Sequence, residues 1–246
     1  MKTIAIDASR AAEAQKTGVG WYCHHLLANL KDVIPHDQRV ILYSDQSLPE
    51  ELRPWPANWE ERVLKRYGPL WSQLVLANAV LRDQPDALFV PAHVIPFGLT
   101  LTPRRRRPKL ITTIHDVVFK QSPESYSVRE RWYADHATRL AARHADRIIV
   151  PTHAVARDLE RYYGCNQERI AVIHHGVSTS VISAPEAHPP LAETVQVNGV
   201  EKSPSVLPGD LSASLRSARD DEKVILYVGR LESKKNFARM IESFSI

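Results

Sequence analysis

The sequence predicts an α/β fold: a doubly wound parallel sheet of Rossmann-like connectivity, followed by an incomplete second domain of the same kind. Three observations predict it. Short β-branched runs and amphipathic helical runs alternate over residues 1–177. Motifs containing Gly, His and Asp stand just after predicted strands, where open parallel sheets bind ligands. After an irregular stretch at 178–222, one more strand and the start of a helix appear at 223–246. Strands separated by helices imply βαβ units, and right-handed crossovers then place helices on both faces of the sheet.

Residues 3–8 (TIAIDA) read as the first strand. Asp7 interrupts its apolar run, so a signal peptide is not expected. Residues 20–30 (GWYCHHLLANL) read as an amphipathic helix with Tyr22, Leu26, Leu27 and Leu30 near one face. Residues 39–43 (RVILY) form a short buried strand, 62–67 a strand of alternating character, and 70–81 (LWSQLVLANAVL) a helix of good helix formers. Strands are expected at 87–90, ended by Pro91, and at 110–114 (LITTI). A long helix follows at 127–144, then a strand at 147–150. A helix at 153–163 is closed by Gly164, and a strand at 170–173 is ended by His174-His175-Gly176. The stretch 178–222 is rich in Pro, Ser and Ala and reads as a linker. Residues 223–228 (KVILYV) are a strand, followed by a turn and a helix start. One βα unit cannot bury its own apolar faces, so the chain is expected to be C-terminally truncated.

Composition is that of a globular protein: 246 residues, 43% hydrophobic and 24% charged. No run approaches the roughly 18 apolar residues of a membrane-spanning helix. Cys23 and Cys165 suggest neither a disulfide framework nor a metal site, which points to a reducing cytoplasm. The formal charge is +4. Its densest cluster, Arg104-Arg105-Arg106-Arg107-Pro108-Lys109, reads first as a solvated loop and second as a contact with anionic lipid headgroups on the inner face of the membrane. No aromatic interleaving or recognisable module supports nucleic-acid binding.

Three places could carry chemistry. Gly18-Val19-Gly20 opens a helix after the first strand, where glycines admit a ligand to the backbone and free N–H groups attract phosphate. The match to G-x-G-x-x-G is poor, since Cys23 holds the third position; alone, the pattern is better explained by a tight turn. His115-Asp116 follows the strand at 110–114. Its His could meet a sugar hydroxyl or phosphate and its Asp could orient it, or the pair could be a structural His and a capping Asp. Arg230 and Lys235, in the stretch GRLESKKN, could converge on a diphosphate at a helix N-terminus. Together the three fit a cleft between two α/β domains.

Five ordered segments carry a resemblance: TGVGWYCHHLLANL at 17–30, IHDVVFKQSPESYS at 114–127, HADRIIVPTHAVARDLERYYG at 144–164, ERIAVIHHGV at 168–177 and ILYVGRLESKKNFARMIESF at 225–244. The chain resembles the retaining glycosyltransferases of family 4, nearest the bacterial mannosyltransferases of O-antigen and exopolysaccharide assembly. The resemblance implies a GT-B architecture of two Rossmann-like domains, the first taking the acceptor and the second the nucleotide-sugar. It implies transfer with retention, no cofactor and no active-site metal. Gly18, Val19 and Gly20 would approach the donor diphosphate, His115 the transferred sugar with Asp116 beside it, and Arg230 and Lys235 would neutralise the leaving diphosphate. The partners so implied are a nucleotide-sugar donor and a glycan or lipid-linked acceptor. This chain departs from the pattern in stopping short of the second full domain that carries the family's Glu-x7-Glu motif, in its long 178–222 stretch, and in Pro151-Thr152-His153 where many relatives have Ser. It is therefore expected to be inactive alone. The alternative is a non-catalytic half-domain that binds an acceptor or a separately encoded partner. A dinucleotide-dependent oxidoreductase is disfavoured by the missing glycine pattern, and a nucleotide-sugar epimerase is the nearest other enzyme.

Overall fold

The structure, a computed structural model, describes residues 1–66, 68, 71–92 and 94–176. They form a seven-stranded, wholly parallel sheet: β1 (Thr3–Asp7), β2 (Arg39–Ser44), β3 (Trp59–Val63), β4 (Ala87–Val90), β5 (Lys109–Thr113), β6 (Arg147–Val150) and β7 (Ile170–Val172). The spatial order is β3-β2-β1-β4-β5-β6-β7. The helices are α1 (Ser9–Ala12), α2 (Gly18–Val33), α3 (Ala77–Asp83), α4 (Phe97–Leu101), α5 (Val118–Gln121), α6 (Val128–His144) and α7 (His153–Tyr163). The doubly wound sheet expected from the alternating pattern is therefore present. One compact unit spans Met1–His175. The expected linker at 178–222, the unit at 223–246 and both Arg230 and Lys235 lie outside the described residues.

The core sits on both faces of β1. Ala5 pairs with Ile41 on one side and Leu88 on the other, while Ile6 pairs with Leu42 and Phe89. Successive strand residues point to opposite faces. Ala5, Ile41, Tyr43, Leu88, Val90 and Leu110 accordingly share one buried cluster with Val80 of α3 and Leu99 of α4. Ile6, Val40 and Leu42 share another with Cys23 and Leu27 of α2. Strands buried on both faces read as continuous apolar runs, which is why RVILY and LITTI stand out. A third cluster packs Ala141 and Ala142 of α6 and Val155 and Leu159 of α7 with Ile148 and Val150. Both cysteines are free and buried, and burial pushes the Cys23 thiol up to about 12.

Several elements differ from expectation. The strand expected at 62–67 lies earlier, because buried Trp59 anchors β3 opposite Val40 and the chain leaves the sheet after Leu64, whose N–H donates to the Ser44 carbonyl. Its polar middle, Glu60 to Arg62, is at home on a sheet edge, where Arg39 and Arg62 both grip Glu60. The helix expected at 70–81 is a π turn over Ser72–Leu76 running into α3, and it ends at Gln84 in the left-handed region with φ 44°. The short helices α1, α4 and α5 have too few residues to show a period. α2 starts at Gly18, two residues before the expected position.

Helix ends follow the local chemistry. Ser127 caps α6 with a full capping box: its side chain accepts from the Glu130 N–H, and Glu130 accepts from the Ser127 N–H. Gly164 closes α7 at φ 60°, a left-handed conformation that a side chain would strain. Replacing Ser127 with Ala should cost about 1 kcal/mol. Urea unfolding should show this as a lower midpoint with an unchanged slope.

Candidate functional site at the carboxyl edge of the sheet

The strand order reverses direction at β1. The chain steps outward from β1 to β2 and β3, then returns to place β4 on the other side. Connections leaving β1 and β4 therefore diverge at their carboxyl ends and leave a crevice. A cleft of about 390 Å³ occupies that place. Asp7 lines it from the end of β1, Ser9 and Arg10 from α1, Glu13 from the loop beyond, and Ala92 and Val94 from the loop after β4. Thr17 and Val19 bring the start of α2 to it, and Arg66, Trp71, Ser72 and Tyr133 complete the wall.

Asp7 is the most deeply placed charged group here, at 8% exposure. Burial raises its pKa, although the Ser9 hydroxyl at 2.6 Å and the Ser9 N–H at 3.0 Å both donate to its carboxylate and oppose the shift. Arg10 and Glu13 pair across 2.6 Å on the rim. The cleft thus offers a buried acceptor, a paired rim and, at the first turn of α2, the N–H groups that a helix cannot bond internally.

The two glycines of the predicted loop play different parts. A Cβ at Gly20 would come within 3.1 Å of both the Arg10 carbonyl oxygen and the Lys16 side chain. Gly20 is thus accounted for by packing of the 10–16 loop against α2. A Cβ at Gly18 would meet nothing within 4 Å, and of this loop only Thr17 and Val19, not Gly18 or Gly20, are among the residues lining the cleft.

His115 stands at the end of β5, one strand beyond β4, and is not among the residues lining the cleft. Its Nε2 lies 2.9 Å from the Pro91 carbonyl oxygen. A carbonyl only accepts, so Nε2 carries the hydrogen and, in the neutral ring, Nδ1 is the basic nitrogen. The Tyr22 ring meets the imidazole edge-on, with centroids 4.7 Å apart at 83°. His175 lies 5.5 Å from it at 60° and 5.0 Å from Tyr22. Burial holds the His115 pKa below the ordinary histidine value. The Pro91 hydrogen bond opposes that shift, His175 adds to it, and Asp116 opposes it. Asp116 is exposed and accepts from the Val118 N–H at 3.2 Å, closing the turn into α5. The N-cap of α5 is Val117, and no side chain caps it.

The fold thus brings Gly18, Val19, Gly20 and His115 to one sheet edge, joined through Tyr22 of α2. Sequence reasoning missed Tyr22 and His175 as companions of His115, and Ser9, Arg66 and Tyr133 as cleft residues. Tyr22 was legible only as part of an apolar helix face, and the others had no local signal. Among the described residues, no group of His, Cys, Asp or Glu is arranged to hold a metal ion, and no helix is long and apolar enough to cross a membrane.

The arginine run lies at the opposite, amino edge of the sheet, just before β5. Arg104 and Arg107 both pair with Asp146, which also accepts from the Leu110 N–H at 2.8 Å. Burial would raise the Asp146 pKa, but these donors carry it below the usual carboxylate value. Half of the run is therefore a clamp joining the entries to β5 and β6, while Arg105 and Arg106 remain exposed.

The sequence pattern of a protein family described as Glycosyltransferase Family 4 matches residues 16–181. Among solved structures, two crystal structures of Anabaena Alr3699/HepE are similar: one in complex with UDP (18% identity, TM-score 0.46) and one with UDP and glucose (19%, 0.46). Each alignment covers 74% of this chain and 48% of that one, so the chain spans about half the length of these structures. No curated protein matches it. The chain belongs to Glycosyltransferase Family 4.

Gly20→Ala should cost about 1–3 kcal/mol, the scale of overpacking. Gly18→Ala should leave stability within about 0.5 kcal/mol, as for a substitution into open space. Thermal unfolding of the two variants side by side checks both.

Proposed function

We propose that this family 4 chain is the acceptor-side portion of a retaining glycosyltransferase. Its substrates are a nucleotide-diphosphate hexose, mannose-like in class, and a glycan or lipid-linked acceptor of cell-surface polysaccharide synthesis. The observation that carries the reading is the cleft at the β1/β4 reversal, with the first turn of α2 on its wall and His115 on the adjoining strand. Departure of a nucleoside diphosphate builds negative charge, which helix N–H groups stabilise without reorganising. In this reading Gly18, Val19 and Gly20 lie against the diphosphate, and His115 lies against the transferred sugar. Arg230 and Lys235 supply the cations from beyond the described residues. Neither a cofactor nor a metal is assigned a step. Asp7 and the Arg10–Glu13 rim suit the hydroxyls of an acceptor. The cytoplasm is the proposed setting, in keeping with two free buried thiols.

The competing reading is a half-domain that binds acceptor or partner without catalysis. The 246-residue chain, incubated with labelled nucleotide-hexoses and acceptor, should transfer no sugar. The same chain joined to a complete second domain should transfer it with retained anomeric configuration. Transfer there should fall about 100-fold or more in His115→Ala, the scale of losing one preorganised polar group. Absence of transfer from the joined protein with every donor tried would favour the binding reading.

Peripheral contact with an anionic membrane is a separate proposal, and it falls to exposed Arg105, Arg106 and Lys109, since Asp146 occupies Arg104 and Arg107. Flotation with anionic liposomes should show binding at low salt that is lost at high salt, where charges are screened. Arg105→Ala together with Arg106→Ala should abolish it.

A further inference from the structure

Tyr22 and His175 are far apart in the chain, yet both rings rest on His115. Tyr22 comes from α2 and His175 from the segment after β7. The Tyr22 hydroxyl is 3.3 Å from Thr113 Oγ1, and Thr113 is the last residue of β5, two before His115. The tyrosine is thus bonded to the strand that carries the histidine. Its ring presses edge-to-face on the imidazole and lies tilted by 34° against His175. The third constraint on His115 is the Pro91 carbonyl on the neighbouring strand's exit loop. Four segments therefore converge on one side chain: α2, the ends of β4 and β5, and the segment after β7. Aromatic pairs in such edge-to-face geometry contribute attraction beyond simple burial.

We propose that Tyr22 and His175 are positioning residues for His115, holding its imidazole in a single orientation with the proton on Nε2 and Nδ1 as the acceptor. A sugar hydroxyl would then meet a hydrogen-bond acceptor of fixed direction, which an unrestrained imidazole does not provide. His175 repels the protonated form of His115, Asp116 favours it, and the Pro91 carbonyl engages Nε2. Tyr22 is itself harder to ionise because it is buried, so it presents a neutral ring. A neutral imidazole at physiological pH keeps Nδ1 as an acceptor, which a protonated ring would lose. The proposal deepens the transferase reading by giving His115 its companions, but the arrangement itself does not depend on that reading.

The test is an NMR titration of the 246-residue chain, with ring nitrogen shifts reporting the His115 tautomer and the C–H shifts its midpoint. In the unaltered chain His115 should show the Nε2–H tautomer and titrate below ordinary histidine. His175→Asn should raise the midpoint, since a repelling imidazole is gone. Tyr22→Leu should raise it too and mix the tautomers, while Tyr22→Phe, which keeps the ring, should preserve the tautomer. Unchanged tautomer and midpoint in His175→Asn and Tyr22→Leu, with native amide spectra, would overturn the proposal. Should Tyr22→Leu not fold, His175→Asn decides by the midpoint alone. Failure of the function is separable: a locked His115 whose alanine variant transfers sugar normally refutes the role of His115 in transfer and leaves the positioning intact.

Discussion

Parallel pairing of β1 on both of its edges is the constraint on which the rest of this unit depends. Its register holds Ile6 opposite Leu42 and Phe89 at once, so β1 is an interior strand bonded along both edges. A parallel neighbour can be reached only by a crossover, and such crossovers are almost always right-handed. Moving outward to β2 and returning to β4 therefore sends the connecting segments to opposite faces. What remains at the carboxyl end is a crevice that no connection fills. The cleft is a consequence of topology before it is a matter of any particular side chain.

The same geometry explains where polar groups can be tolerated. At the carboxyl ends the backbone runs out of sheet partners, so Asp7 turns to the hydroxyl and N–H of Ser9. At the amino ends, Asp146 collects Arg104, Arg107 and the Leu110 N–H. Both are nearly sheltered carboxylates that keep company with donors, as burial of a charge requires. They differ in what else surrounds them. Asp146 is surrounded by structural donors alone, whereas Asp7 faces open volume. One carboxylate fastens strands, and the other lines the cleft.

How much was legible in sequence depends on how local the cause is. β4, β6 and α7 fall where their patterns place them, and Gly164 ends α7 because only local φ and ψ decide that. The glycine pair at the head of α2 was legible as a loop-to-helix signal, but its division of labour was not. Gly20 is required by the Arg10 carbonyl and Lys16, contacts that no spacing rule contains. β3 was placed several residues late because the anchoring Trp59 is followed by Glu60, Glu61 and Arg62, which do not read as strand residues until an edge position explains them.

By itself the sequence determined the fold class, the strands and long helices, and the positions of Gly18 at a helix start and His115 just past a strand. Apolar period and turn chemistry act over a few residues, and those features need nothing more. Only the tertiary structure decided that Tyr22, Thr113 and His175 meet around His115, that Asp7 faces a cleft, and that Arg104 and Arg107 serve Asp146. Tyr22 and Thr113 are 91 residues apart. Such pairs form because sheet order and helix packing bring them together, and their residue types carry no local mark of the partner they will meet.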